Sequence, residues 1–401
     1  MSVIEGASRP ARTAAAPGLR AWWLTWRPSI RAGALAAAVL AVVAEVAALL
    51  FAGGLSALTN VLAHPETVLT VWRHYDAVWY LNIAADGYPA HAHDPSEAGS
   101  FGDATAFPPL HPLAIRGLAM ALHIPILAAA MLLSALALPL ALAVFHRLAT
   151  TDAGQRRARF ALLLLVTTPA AFFLVAPYGA GMLLALVAGA LLAARRQNWA
   201  VAGILGALCM LDKLYAGLVV AAIFVEYMQA HDWKRSKVRA DAAWIVAPSI
   251  AGLAAWSGYL WATFGDPLRF LHAEAAWDRH LTAPWTTIAH GVDQVTRYWG
   301  SNSIALVRLL EVVAILGLLG LTVFAWRRMR RSDAVFMGLS LLAISSSGIV
   351  DSAHRYLLAI APVYVAMAML LGRRGRLITV AVSLALSAFL LQRFVTGAWA
   401  G

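Results

Sequence analysis

Long apolar stretches separated by short polar breaks set the pattern of this chain. The first runs from about Ile30 to Leu58, and others follow at about 124–147, 158–176, 179–194, 199–212, 214–230, 242–264, 303–326, 333–350, 355–371 and 376–395. A helix needs roughly 20 apolar residues to cross a bilayer, and backbone groups in lipid must find partners within their own segment. The pattern therefore predicts an all-α polytopic membrane protein, a bundle of about eleven transmembrane helices. A β-barrel would alternate polar and apolar positions, and these stretches do not. The region 179–230 allows either three short helices or two tilted or broken ones. No fixed-period repeat is visible.

The polar breaks sort by charge. Arginine dominates Arg156-Arg157-Arg159, Arg195-Arg196, Lys234-Arg235-Lys237-Arg239, Arg327-Arg328 with Arg330-Arg331, and Arg373-Arg374 with Arg376. The excess of Lys and Arg on the cytoplasmic side places an Arg-rich tail, residues 1–29, inside, with Trp22, Trp23 and Trp26 as its interfacial anchor. Every later cluster then also falls inside, provided that the short segment from Pro109 to Leu122, interrupted by Pro112 and Arg116, lies at the interface and does not cross. The expected organisation is a membrane domain over 30–395, with outer loops at 60–123 and 265–302 and a short outer tail at 396–401. The first apolar run is too long for a cleavable signal peptide.

Composition agrees. Of 401 residues, 61% are hydrophobic and only 13% charged, and the mean hydropathy is +0.72, beyond what a soluble domain could bury. The net charge of +11 belongs to the topology clusters, and no soluble basic domain exists to take nucleic acid as a partner. The single cysteine, Cys209, rules out an intrachain disulfide or a cysteine metal site. Glu45 lies inside the first apolar run, where a carboxylate costs about 2.5–3.5 kcal/mol and is expected to face the bundle interior.

The same topology gathers the unusual residues at the outer face: Asp76, Asp86, Asp94, Glu97 and Asp103, the turn Pro177-Tyr178-Gly179, Asp212-Lys213, and Asp351-Ser352-Ala353-His354-Arg355. A carboxylate at a membrane mouth with isolated cations nearby suits group transfer from a lipid phosphate to a hydroxyl. The carboxylate takes the proton, and the cations stabilise the departing phosphate. Asp76 is the candidate base, bracketed by Tyr75, Trp79 and Tyr80, whose rings suit sugar stacking or the headgroup level; the bland alternative is an interfacial helix whose Asp faces water. Lys213, one of three lysines in the chain, is either a phosphate partner or half of an Asp212–Lys213 helix cap. Arg355, beside His354, either grips phosphate bidentately or snorkels. His91, His93 and His111 with Asp94, Glu97 and Asp103 are either ligands for a divalent cation, Mg or Mn, or a solvated loop. Arg116 and Arg269 are weaker phosphate candidates. No glycine-rich nucleotide loop is present.

"HYDAVWYLNIAADGY" followed by "AFPPLHPLAIR" resembles the tryptophan-aspartate and phenylalanine-proline blocks of the glycosylphosphatidylinositol mannosyltransferase II family and its bacterial relatives. "TTPAAFFLVAPYGAGMLLAL", "GDPLRFLHAEAAWDR" and "HRYLLAIAPVYVAMA" look like further segments of type C (GT-C) membrane glycosyltransferases. This resemblance implies a GT-C-like bundle with interfacial helices in the first outer loop, set in a bacterial inner membrane. It implies an inverting transfer of mannose from a polyprenyl-phosphate-sugar donor to a lipid or glycan acceptor on the outer face, surrounded by membrane lipids. It places the base at Asp76, aromatic contacts at Trp79 and Tyr80, and a second acid at Asp103; Tyr178, Lys213, His354 and Arg355 complete the candidate substrate contacts from the residues themselves. Two departures stand out: Gly179-Ala180-Gly181 where a Ser or Thr and then Glu would follow Tyr178, and Lys213 where relatives carry Arg. The competing reading is a lipid-linked-sugar flippase or small-solute transporter, which would place polar groups at the midplane on broken helices. A subunit without catalysis is the third.

Overall fold

A computed structural model describes residues 19–61, 63–88, 103–234, 236, 238–300 and 303–401. Residues 1–18 of the basic tail, the loop with His91, His93, Asp94 and Glu97, and Arg235 and Lys237 lie outside them. Among the described residues all regular structure is helical. The main helices are α1 Leu19–Asn60, α2 Asp76–Asp86, α3 Leu110–Leu122, α4 Ile126–Ala153, α5 Gln155–Thr167, α6 Ala180–Arg195, α7 Trp199–Asp212, α8 Val219–Ala230, α9 Ala243–Phe264, α10 Pro284–Tyr298, α11 Ile304–Arg328, α12 Arg331–Ser345, α13 Ala361–Leu370 and α14 Arg373–Val395.

Each of the eleven expected segments contains helix, but five helices are long and apolar enough to cross a bilayer: Trp23–Ala57, Ile126–Ala153, Ala240–Phe264, Ile304–Arg328 and Arg373–Val395. A sixth span exists if Ala353–Ala359 and Ala361–Leu370, bent by 91° at their junction, count as one. The difference lies in length. α6 and α7 have 16 and 14 residues, about 24 and 21 Å at 1.5 Å per residue, short of the roughly 30 Å hydrocarbon core. The region 179–230 resolves into three helices, with a 3₁₀ turn at Leu214–Leu218 between the second and third. Helical structure also begins at Leu19, ahead of the boundary expected at residue 30, and runs through Pro28. The proline segment forms the 13-residue α3, too short to span.

The core gathers around Trp72, Phe145, Leu165, Phe172, Phe173 and Phe394, all below 2% exposed. Charge concentrates at the two ends of this core. At one end Arg195, barely exposed, donates to Asp152 at 3.2 Å and Glu226 at 3.0 Å and pairs with Asp333. Arg330 reaches the same Glu226 at 2.7 Å, and Ser332 donates to it at 2.6 Å. Nearby, Arg376 lies over Phe160 and Arg196 over Trp26. The arginine clusters after α4, α6, α11 and α13 thus share one end, and Asp76, Lys213 and Arg355 occupy the other. Glu45 accepts a hydrogen bond from Trp72 Nε1 at 2.8 Å.

Candidate active site

Asp76 is the first residue of α2, where the unpaired N–H groups of the helix terminus favour a carboxylate. Tyr75 before it holds φ 50°, an uncommon conformation for an aromatic residue. The carboxyl-terminal segment fixes that turn. Tyr75 donates its hydroxyl proton to the Gly397 carbonyl at 2.6 Å, and its ring meets Trp399 edge-on at 5.4 Å. Residues 396–401, the short outer tail expected from sequence, therefore pack onto the site.

Arg355 reaches Asp76 at 2.9 Å, both side chains being largely buried. Its guanidinium lies over Phe173 and Tyr178, 5.3 and 5.2 Å from their centroids, and its Nη2 donates to Ser352 Oγ at 3.0 Å. Nη1 is buried without a protein partner. Arg355 occupies a single helical turn, Ala353–Tyr356, entered through Ser352 at φ 67°. The Ser352 N–H donates to Glu311 Oε1 at 2.8 Å. Arg308 ties that glutamate, at 2.9 Å, to Asp351. The turn carrying Arg355 is thus held from α11.

Lys213 ends α7 in an extended conformation, its ammonium donating to the Tyr80 hydroxyl and lying 4.8 Å from the Tyr80 ring and 5.5 Å from that of Phe107. Burial pushes this ammonium below the ordinary lysine range, while Asp76 pulls it back. Lys213 does not cap Asp212: both Asp212 carboxylate oxygens are buried without a partner.

Lys213, Arg355, Tyr178, Gly179, Tyr215 and Tyr356 line one small cavity of about 30 Å³. Arg279 stands behind Tyr356, donating to its hydroxyl at 2.6 Å and facing Glu274 at 3.6 Å.

Trp79 and Tyr80 are buried, at 4% and 0% exposed, so they form the wall behind Lys213 and present no open stacking surface. Trp79 stacks on Phe107 at 5.7 Å and meets Trp277 at 5.3 Å. Tyr178 sits beneath Arg355 and donates to the His74 carbonyl at 2.8 Å. Asp103 is fully engaged: Thr105 donates to Oδ1 from its N–H at 2.8 Å and its hydroxyl at 2.7 Å, and Arg269 holds Oδ2 at 3.2 Å. Asp103 caps the 3₁₀ turn that leads into Phe107, with Arg269 as its ion-pair partner. His354 donates from Nε2 to the Ala400 carbonyl at 3.1 Å and anchors the carboxyl-terminal segment. Arg116 lies on an exposed face of α3.

The missing polar residue after Tyr178 has a steric reason. Gly179 holds φ 72°, and a Cβ there would lie 3.0 Å from the His111 imidazole. His111, from α3, fills that space edge-on to Tyr80 at 4.8 Å. Burial, helped by Lys213, pushes its pKa down to about 3, so the ring is neutral. Among the described residues no three metal-ligating side chains converge, and the oxygens of Asp76 and Asp103 meet arginines, so they do not fit a Mg or Mn cage. Arg279, Tyr215, Tyr356, Glu311 and Arg308 were not anticipated. Arg279 stands in the quoted "AEAAWDR" segment, and a lone arginine in an expected outer loop was the available signal.

The described fold and site define a polytopic helical membrane protein with a buried carboxylate–arginine–lysine centre at one end of its bundle. No family model matches the chain, nor does any curated protein sequence; the resemblance to the mannosyltransferase II family thus has no matching model behind it. Among solved structures the chain is similar to the oligosaccharyltransferase of Archaeoglobus fulgidus in complex with Zn and sulfate, at 15% identity and TM-score 0.45 over 90% of this chain and 53% of that one. The apo form of the same enzyme gives 13%, 0.45, 91% and 56%. ArnT from Cupriavidus metallidurans bound to undecaprenyl phosphate gives 14% identity, TM-score 0.41, 90% of this chain and 77% of that one. The chain spans about half the length of the oligosaccharyltransferase it matches. At that identity and score the likeness does not extend to chemistry.

Proposed function

We propose that the protein is an integral-membrane glycosyltransferase that moves a hexose, mannose by the sequence resemblance, from a polyprenyl-phosphate donor to a hydroxyl of a lipid or glycan acceptor on the outer face of a bacterial inner membrane. The observation that carries this reading is the Asp76–Arg355 pair at 2.9 Å beside Lys213, with both cations lining one cavity. The acceptor oxygen attacks the anomeric carbon as the bond from that carbon to the phosphate oxygen breaks, and the configuration inverts. Asp76 takes the hydroxyl proton. The electron pair leaves on the phosphate, between the Arg355 guanidinium and the Lys213 ammonium, where fixed cations are worth most.

In the resting arrangement Arg355 serves as the counterion of Asp76. An incoming donor phosphate competes for that guanidinium, whose Nη1 is unpartnered, and so frees the carboxylate to act as a base. The cavity of about 30 Å³ holds roughly one water, so donor entry requires the walls at Tyr215 and Tyr356 to part. A flippase or solute-carrier reading draws little from charge placement, because the ionic groups cluster at the two ends and Glu45 stands alone within α1, one of its oxygens accepting from Trp72.

The test is transfer of labelled mannose from polyprenyl-phosphate-mannose into a lipid extract by membranes carrying the protein. Asp76→Asn and Asp76→Ala are expected to lower turnover by about 10²-fold or more, the usual contribution of a general base. Wild-type turnover in both variants overturns the base assignment, and absence of transfer by the native protein removes the enzymatic reading.

A further inference from the structure

The end of the bundle opposite Asp76 carries a groove of about 570 Å³ between α1 and α5, walled by Leu24, Arg27, Arg31 and Leu35 on α1 and by Gln155 and Arg159 on α5. The position of α1 there is fixed from its other side. Arg147 donates to the Thr25 carbonyl at 3.1 Å, Ser29 Oγ meets His146 Nδ1 at 3.0 Å, and Gly33 lies so close to α4 that a Cβ would come within 2.4 Å of the Ala143 nitrogen. Residues 25, 29 and 33 form one ridge at helical spacing, locked against α4. Residues 27, 31 and 35 form another, turned toward the groove.

Arg27, Arg31 and Arg159 are all exposed, and among the described residues none is paired with a carboxylate. Three guanidinium groups around one space repel one another until a multivalent anion enters. Apolar residues continue from the groove along the same helix: Leu35, Val39 and Val42 are 69%, 55% and 63% exposed on a segment long and apolar enough to cross a bilayer. A phosphate at the arginines therefore has acyl-chain surroundings directly below it.

We propose that this groove binds an anionic phospholipid of the surrounding membrane, its phosphate held by Arg27, Arg31 and Arg159 and one acyl chain lying along Leu35 and Val39. Guanidinium forks match phosphate oxygens bidentately, and basic pockets between membrane helices select anionic headgroups. The site is independent of the transfer reaction and stands whether or not that reading holds.

The purified protein in detergent is offered phosphatidylglycerol or phosphatidylcholine at equal concentration, and retained lipid is counted by native mass spectrometry alongside the melting temperature. Wild type is expected to retain phosphatidylglycerol about tenfold over phosphatidylcholine and to melt higher with it. The R27Q/R31Q/R159Q variant is expected to lose that preference while melting like wild type without lipid. Equal retention of the two lipids by wild type, an unchanged preference in the variant, or equal stabilisation by inorganic phosphate overturns the assignment. Should the triple variant not fold, Arg159→Gln alone carries the test, and an unchanged preference there overturns it equally.

Discussion

A lysine at the end of α7 faces a tyrosine hydroxyl, a carboxylate and an arginine at once, and its protonation responds to the two charged groups. Burial lowers the Lys213 pKa, so its charge is present at low pH and lost as pH rises through a value below that of a free lysine. If the ammonium holds the leaving phosphate, turnover falls on the alkaline side earlier than an ordinary lysine would dictate. Lys213→Arg is expected to retain transfer at lower turnover and to abolish that alkaline limb, because a guanidinium stays protonated. A pH profile with the same alkaline limb in both proteins removes Lys213 from the phosphate. At Gly179, alanine is expected to cost about 1–2 kcal/mol for the left-handed backbone alone, with the His111 ring adding steric pressure. The melting temperature checks it, and an unchanged value contradicts the packing of Gly179 on His111.

The residues that sequence made legible are those that are chemically unusual for their surroundings. Asp76, Lys213 and Arg355 stood out as isolated charges between apolar runs, and the charge-sorting argument put them on one face before any contact was known. Their partners were not legible, since each pairing joins distant segments: Asp76 to Arg355, Lys213 to Tyr80, and Ser352 to Glu311 across 41 positions. The glycine after Tyr178 looked like a lost polar group. Only the fold reveals that His111, from another helix, stands in that space.

At the scale of elements, the turn Ala353–Tyr356 owes its place to α11. Arg308, Glu311 and Asp351 hold Ser352 in the left-handed conformation that aims Arg355 at Asp76, and none of the three touches the cavity. Glu311→Gln keeps shape while weakening the pull on Arg308. We expect it to raise the donor KM several-fold with a smaller effect on kcat, because it loosens a phosphate-binding arginine without touching the base. A loss confined to kcat, or none, makes the network merely structural. Helix positions themselves followed from apolar runs, but their membrane-crossing length did not. Hydrophobicity alone cannot distinguish a span from a 14-residue helix such as α7, half of whose residues are buried against protein.

Over the whole molecule, ionic groups occupy the two ends and apolar side chains the length between. That arrangement predicts opposite membrane exposure for Thr151, in the last turn of α4 at the arginine end, and Thr286 on α10 toward the candidate site. Cys209 is fully buried and gives little background, so Thr151→Cys and Thr286→Cys can be labelled singly with an impermeant maleimide on sealed vesicles. Labelling of Thr286→Cys from the outer side and of Thr151→Cys only after permeabilisation is expected; the same pattern in both refutes the two-ended arrangement.

The buried ionic network around Arg195 also orders the protein's birth. Synthesis delivers Asp152, Arg195 and Glu226 first, with Arg330 and Asp333 following 104 and 138 positions after the partners they meet. Until α12 is inserted, the network itself holds two carboxylates, Asp152 and Glu226, around the single guanidinium of Arg195. The late segment brings a second cation to Glu226 and a third acid to Arg195. The ribosome must therefore finish most of the chain before this end of the bundle can seal.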